Sequence, residues 1–89
     1  MIITKHAAAG TLESCDVLIT VKPAEKIEIV VESTVQEVFE QDIINCVKDT
    51  LEKLEVTAAR ILVQDKGAFD CTISARVETA VLRSQEGVQ

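Results

Sequence analysis

Two neighbouring runs of alternating residues limit the fold of this 89-residue chain more than any other feature. From Asp16 to Lys22, Val17, Ile19 and Val21 fall on one side. From Ile27 to Glu32, Ile27, Ile29 and Val31 alternate with Glu28, Val30 and Glu32. A period of two marks a strand with one face against a core. Pro23-Ala24-Glu25-Lys26 between them has turn composition, so the two runs are expected to pair as an antiparallel hairpin.

The pattern then changes period. Val35, Val38, Phe39, Ile43, Cys46, Val47, Leu51 and Leu54 recur at helical spacing, predicting a helix of about twenty residues, roughly 30 Å long. Ser33 with Gln36, or Thr34 with Glu37, has the spacing of a capping box that would open it. Ala59 to Gln64, centred on Ile61-Leu62-Val63, is short and apolar like a buried strand, and Asp65-Lys66-Gly67 ends it. The last segment fits two patterns. Phe69, Cys71, Ile73, Ala75 and Val77 alternate as a strand would, whereas Ile73, Val77, Ala80, Val81 and Ser84 fit a helix. Ala75, Arg76, Glu78, Ala80, Leu82 and Arg83 favour the helix by propensity, which predicts one over 68–84. The expectation is one α+β domain over residues 1–89, ordered β-β-α-β-α. An antiparallel hairpin and a third strand would carry both helices on one face, residues 1–15 would form an amino-terminal arm or loop, and residues 85–89 a frayed end.

Composition narrows what such a domain can do. Phe39 and Phe69 are the sole aromatics, so the core must be aliphatic and thin, with little to spare for a deep ligand cavity. A net charge of −6 argues against nucleic-acid binding, which needs clustered cations to neutralise phosphates. No apolar run approaches a membrane span or a secretory signal. Cys15, Cys46 and Cys71 lack the spacing of a zinc site or disulfide framework, and the odd count points to the reducing cytoplasm. Glu37, Glu40, Asp42, Asp49, Glu52 and Glu55 make the long helix acidic, either as an ordinary solvated face or as a docking face for partner subunits.

The segment Ala9-Gly10-Thr11-Leu12-Glu13-Ser14-Cys15-Asp16 leads into the first predicted strand. Its serine lies between two carboxylates with no evident general base near it in sequence. His6, in a polar, alanine-rich stretch, is the chain's one histidine and a weak candidate. Each carboxylate about 6 Å away would alter an anion's approach by only about 0.7 kcal/mol in water. Such a hydroxyl is better suited to being modified than to catalysis. No catalytic or metal-ligating residue is expected.

Two separated segments, Ala9 to Ser14 with Asp16, and Asp65-Lys66-Gly67-Ala68 with Asp70-Cys71, carry a family resemblance that Ala75-Arg76 and Glu78 extend. With them the chain resembles the acyl carrier (gamma) subunits of citrate lyase. The resemblance implies a covalent 2′-(5″-phosphoribosyl)-3′-dephospho-coenzyme A joined by a phosphodiester to Ser14, its terminal thiol carrying acetyl or citryl. It implies alpha and beta subunits as partners, the first exchanging acetyl for citryl and the second cleaving citryl to oxaloacetate. It further implies a transferase that attaches the group. Gly10 would keep the approach to Ser14 adaptable. Cys15 departs from the family, which more often has a small residue such as glycine there. Its own thiol is too short to visit two active sites. Related readings are the carrier subunits of malonate decarboxylase and citramalate lyase, and a reading of another class is an acidic adaptor without cofactor. The Asp-Ser-Leu of fatty-acid acyl carriers is absent.

Overall fold

The computed structural model describes residues 2–33 and 39–85. Six elements follow in order: β1 (Ala7–Gly10), β2 (Val17–Lys22), β3 (Ile27–Ser33), α1 (Glu40–Lys53), β4 (Ala59–Asp65) and α2 (Asp70–Gln85). The α+β class and the expected succession of two strands, helix, strand and helix are present, with β1 added in front.

The expected hairpin between β2 and β3 is not formed. The sheet order is β1-β2-β4-β3. β4 lies between the two, antiparallel to β2 (Ile19 opposite Val63) and parallel to β3 (Ile29 opposite Ile61). Pro23–Lys26 therefore spans a gap of one strand, and α1 is the crossover that a parallel β3–β4 pair requires. The physical reason lies in β4. Ala59, Ile61, Val63 and Asp65 are buried while Leu62 and Gln64 are only half-exposed, so both neighbours of this strand must be sheet.

The arm expected over residues 1–15 is also corrected. Ala7 to Gly10 pair with Val21 to Leu18 as the short edge strand β1, and Ile3 and Ala9 are buried. The true hairpin is β1–β2, and its connection is residues 11–16. Gly10 permits that pairing. Its φ is +105°, and a Cβ built there would stand 1.8 Å from the carbonyl oxygen of Val17, so the glycine serves a close backbone approach and not flexibility.

α1 is shorter than expected. Ser33 ends β3 and donates a hydrogen bond to Asp65 Oδ2 at 3.1 Å, whereas the N-cap position of α1 is Phe39. The alternative box of Thr34 and Glu37 lies outside the described residues, as does Gln36. At the other end Val56 N–H donates to Leu51 O and Glu55 N–H to Glu52 O, with Glu55 at φ 58°. This is a Schellman stop, and it packs Val56 beside Leu51 in the core. Ile43, Val47 and Leu51 of α1 and Ile73, Val77, Ala80 and Val81 of α2 cover the face made by Val17, Ile19, Val21, Ile61 and Val63. The core is aliphatic as expected. Phe39, placed in the apolar stripe by its spacing, is 51% exposed and outside it.

Candidate functional site

Ser14 lies in the β1–β2 connection, exposed. Asp16 N–H donates to Glu13 O at 3.1 Å and closes the turn Glu13-Ser14-Cys15-Asp16. Cys15, third in that turn, has φ 65°. A turn with positive φ at its third position favours glycine there, because a Cβ crowds the following carbonyl. That gives a physical account of why Cys15 is a departure from a glycine-bearing pattern.

The turn is held from outside as well. Cys15 N–H donates to Lys66 O at 2.8 Å, and Lys66 N–H donates to Asp16 O at 2.9 Å. These two bonds continue the β2–β4 ladder one step past Val17 and Asp65. Asp65, buried at the end of β4, accepts from Ser33 Oγ and from Ala68 N–H, and so links the ends of β3 and β4 to the entry of α2. The two segments that carried the resemblance, about fifty residues apart in sequence, meet here.

Asp16 is the hub. Its Oδ1 accepts from Val17 N–H at 2.7 Å and from Arg76 Nε at 3.2 Å. Its Oδ2 accepts from Thr11 Oγ1 at 2.7 Å and Arg76 Nη2 at 3.2 Å. The Thr11 hydroxyl, the Val17 amide and the Arg76 guanidinium, in that order, lower its pKa from the ordinary 3.8 to about 2. A carboxylate so fully engaged is a brace for the loop and a poor proton acceptor. Sequence reasoning quoted Asp16 and Arg76 but missed the pair, since they stand 60 positions apart.

His6 precedes Ala7, which pairs with Val21 at the far end of the β1–β2 hairpin. Gly10 is four residue steps further along, roughly 13 Å in an extended strand. His6 therefore stands well away from Ser14. Among the described residues nothing hydrogen-bonds the Ser14 hydroxyl, and no group of three or more His, Cys, Asp or Glu residues is placed to hold a metal. Cys15, Cys46 and Cys71 are free thiols. The site is an exposed hydroxyl on a turn braced by β4 and Arg76.

Residues 4–84 match the profile of the malonate decarboxylase delta subunit family (MdcD). The chain is 46% identical over 86 residues to a citrate lyase acyl carrier protein of Haemophilus influenzae, covering 97% of this chain and 90% of that one. It is 48% identical over 90 residues to a citrate lyase acyl carrier protein of Pectobacterium atrosepticum, covering 100% and 94%. Among solved structures, a chain of a Pseudomonas malonate decarboxylase hetero-tetramer in complex with malonate superposes with a TM-score of 0.73 at 20% identity, covering 94% of this chain and 88% of that one.

Proposed function

The chain belongs to the acyl carrier protein family that takes in citrate lyase acyl carrier protein and the malonate decarboxylase delta subunit, and from that membership we propose that it is the acyl carrier subunit of a citrate lyase, with its prosthetic arm joined to Ser14. It is a carrier and not a catalyst, and it works within a multi-subunit complex. Citrate lyase is favoured over malonate decarboxylase because the relatives at 46% and 48% identity are citrate lyase carriers, whereas the malonate decarboxylase chain stands at 20%.

The observation that carries the attachment is the outward Ser14 hydroxyl on a turn held by β4 and Arg76. The residues present fit a phosphodiester-linked arm, since Ser14 is exposed and its hydroxyl has no hydrogen-bond partner among the described residues. Ser14 Oγ would supply the ester oxygen. When attached, 2′-(5″-phosphoribosyl)-3′-dephospho-coenzyme A supplies a terminal thiol that holds the acyl group as a thioester. Asp16, Thr11 and Arg76 keep the anchor point fixed, and the rigid sheet behind them carries it. Tethering at such a point raises the acyl group's effective concentration at a partner's active site to the order of mM for a short flexible link. The partners are the alpha and beta subunits of the lyase and the transferase that loads Ser14, and the compartment is the cytoplasm.

Ser14→Ala is expected to keep the fold within about 0.5 kcal/mol, as a surface hydroxyl with no partner should. It should also abolish attachment and all citrate cleavage by the reconstituted complex. Peptide mapping of the chain from its own host should put the added mass on the Ser14 peptide, stable to thiol reductants, while Cys15→Ser retains activity. Mass on Cys15, Ser33 or Ser74, or full activity in Ser14→Ala, would overturn the reading.

A further inference from the structure

We propose that the open groove between α1 and the entry of α2 is the docking surface for a partner-subunit segment that presents a basic side chain beside an apolar one. The groove has a volume of about 660 Å³. The chain's two aromatics, Phe39 and Phe69, both line it, and they are 51% and 75% exposed while the core behind them is closed by aliphatic residues. Asp42, Asp49 and Asp70, all exposed, stand along the same walls, with Lys53 the one cation among the lining residues.

The floor leaves little unsatisfied. Thr50 Oγ1 donates to Cys46 O at 2.8 Å and lies 3.1 Å from Ser74 Oγ, and Cys46 Sγ lies 3.3 Å from the same Ser74 oxygen. Recognition must therefore come from the walls. An aromatic face beside a carboxylate suits a guanidinium or ammonium, which can lie over the ring and pair with the acid. The other ring offers an apolar seat for a neighbouring aliphatic side chain. Charge sets the occupant. A second copy of this chain brings a further −6 to an acidic wall, and an anionic arm would be repelled by it, whereas a basic segment of another subunit is attracted.

Position supplies the purpose, and here the proposal rests on the carrier reading. Gly67 and Ala68 form one end of the groove, immediately after Lys66, whose carbonyl accepts the Cys15 N–H. A partner seated in the groove is therefore held at the Ser14 end of the molecule, where a tethered acyl group must be received.

The test uses the full chain against the separately purified alpha and beta lyase subunits, with binding read by interferometry at low and high salt. Phe69→Ala combined with Asp49→Lys and Asp70→Lys should weaken binding to at least one subunit by about tenfold or more and flatten its salt dependence. Phe69→Ala alone should weaken it in the same direction, and the circular dichroism of each variant should match the wild type. Glu28→Lys with Glu32→Lys, on the opposite sheet face, makes the same change in net charge and should stay within about twofold. Equal losses from both charge changes, no loss from either, a wild-type chain that binds neither subunit, or a wild-type dimer that the groove variants dissociate would each overturn the proposal. Intact mass of the chain from its host separates the two readings. An arm on Ser14 together with unaffected docking removes the groove alone, and an unmodified Ser14 removes the carrier reading alone.

Discussion

A carboxylate offers about four lone-pair directions, and Asp16 receives four hydrogen bonds, two of them from Arg76. Because its pKa is lowered from 3.8 to about 2, what it adds to stability is complete above about 3.8 and is lost as pH falls through about 2. NMR titration of the Asp16 carboxyl should give that low midpoint, and Thr11→Val or Arg76→Gln should raise it. The next residue back works the other way. Cys15 holds φ 65°, a conformation that costs a side chain about 1–2 kcal/mol relative to glycine. Cys15→Gly should raise the unfolding free energy by about 0.5–1 kcal/mol once glycine's extra chain entropy is subtracted, read as a higher urea midpoint at unchanged slope. Neither device was legible in sequence. A cysteine does not announce a left-handed backbone, and nothing local ties position 16 to position 76.

Elements were easier to read than their pairing. Alternation located β2 and β3, and propensity correctly favoured a helix at the end, expected over 68–84 and observed as Asp70–Gln85. Strand order was hidden because Pro23–Lys26 signals a change of direction without naming the neighbour. The hint was the nearly unbroken apolar centre of β4, which suits a strand flanked on both sides. β1 gave no signal at all, since Ala7-Ala8-Ala9-Gly10 lacks the branched and aromatic residues that mark strands. Its glycine is nonetheless exacting. Gly10→Ala should cost about 2 kcal/mol or more in chemical denaturation, because positive φ and contact with Val17 O act together. Ile43→Ala and Leu51→Ala, on the buried stripe of α1, should each cost about 2–5 kcal/mol. A loss below about 0.5 kcal/mol would mean that the stripe does not face the core.

At the scale of the whole molecule, 89 residues fold to a radius of gyration of 12.0 Å, the size of a compact domain. The attachment candidate Ser14 was legible in sequence, through the segment that surrounds it. What holds it was not, since the turn's supports come from β4 and α2. A chain cut after residue 58 keeps Ser14, β1, β2, β3 and α1 yet loses the strand that joins β2 to β3. It should show no cooperative unfolding transition by circular dichroism and, on the proposed carrier reading, should not be modified at Ser14.

The order of synthesis follows from the same strand order. β2 and β3 leave the ribosome with open edges and wait for a strand that comes some thirty residues after β3 begins. The Lys66 carbonyl that accepts the Cys15 amide comes just past the end of β4, so that bond needs β4 in place between them. The bonds that hold the turn displaying Ser14 are thus complete only with β4 in place, although the turn precedes β4 in the chain. On the proposed reading, an enzyme that recognises the shape of that turn, and not merely its sequence, would load only chains whose sheet is closed.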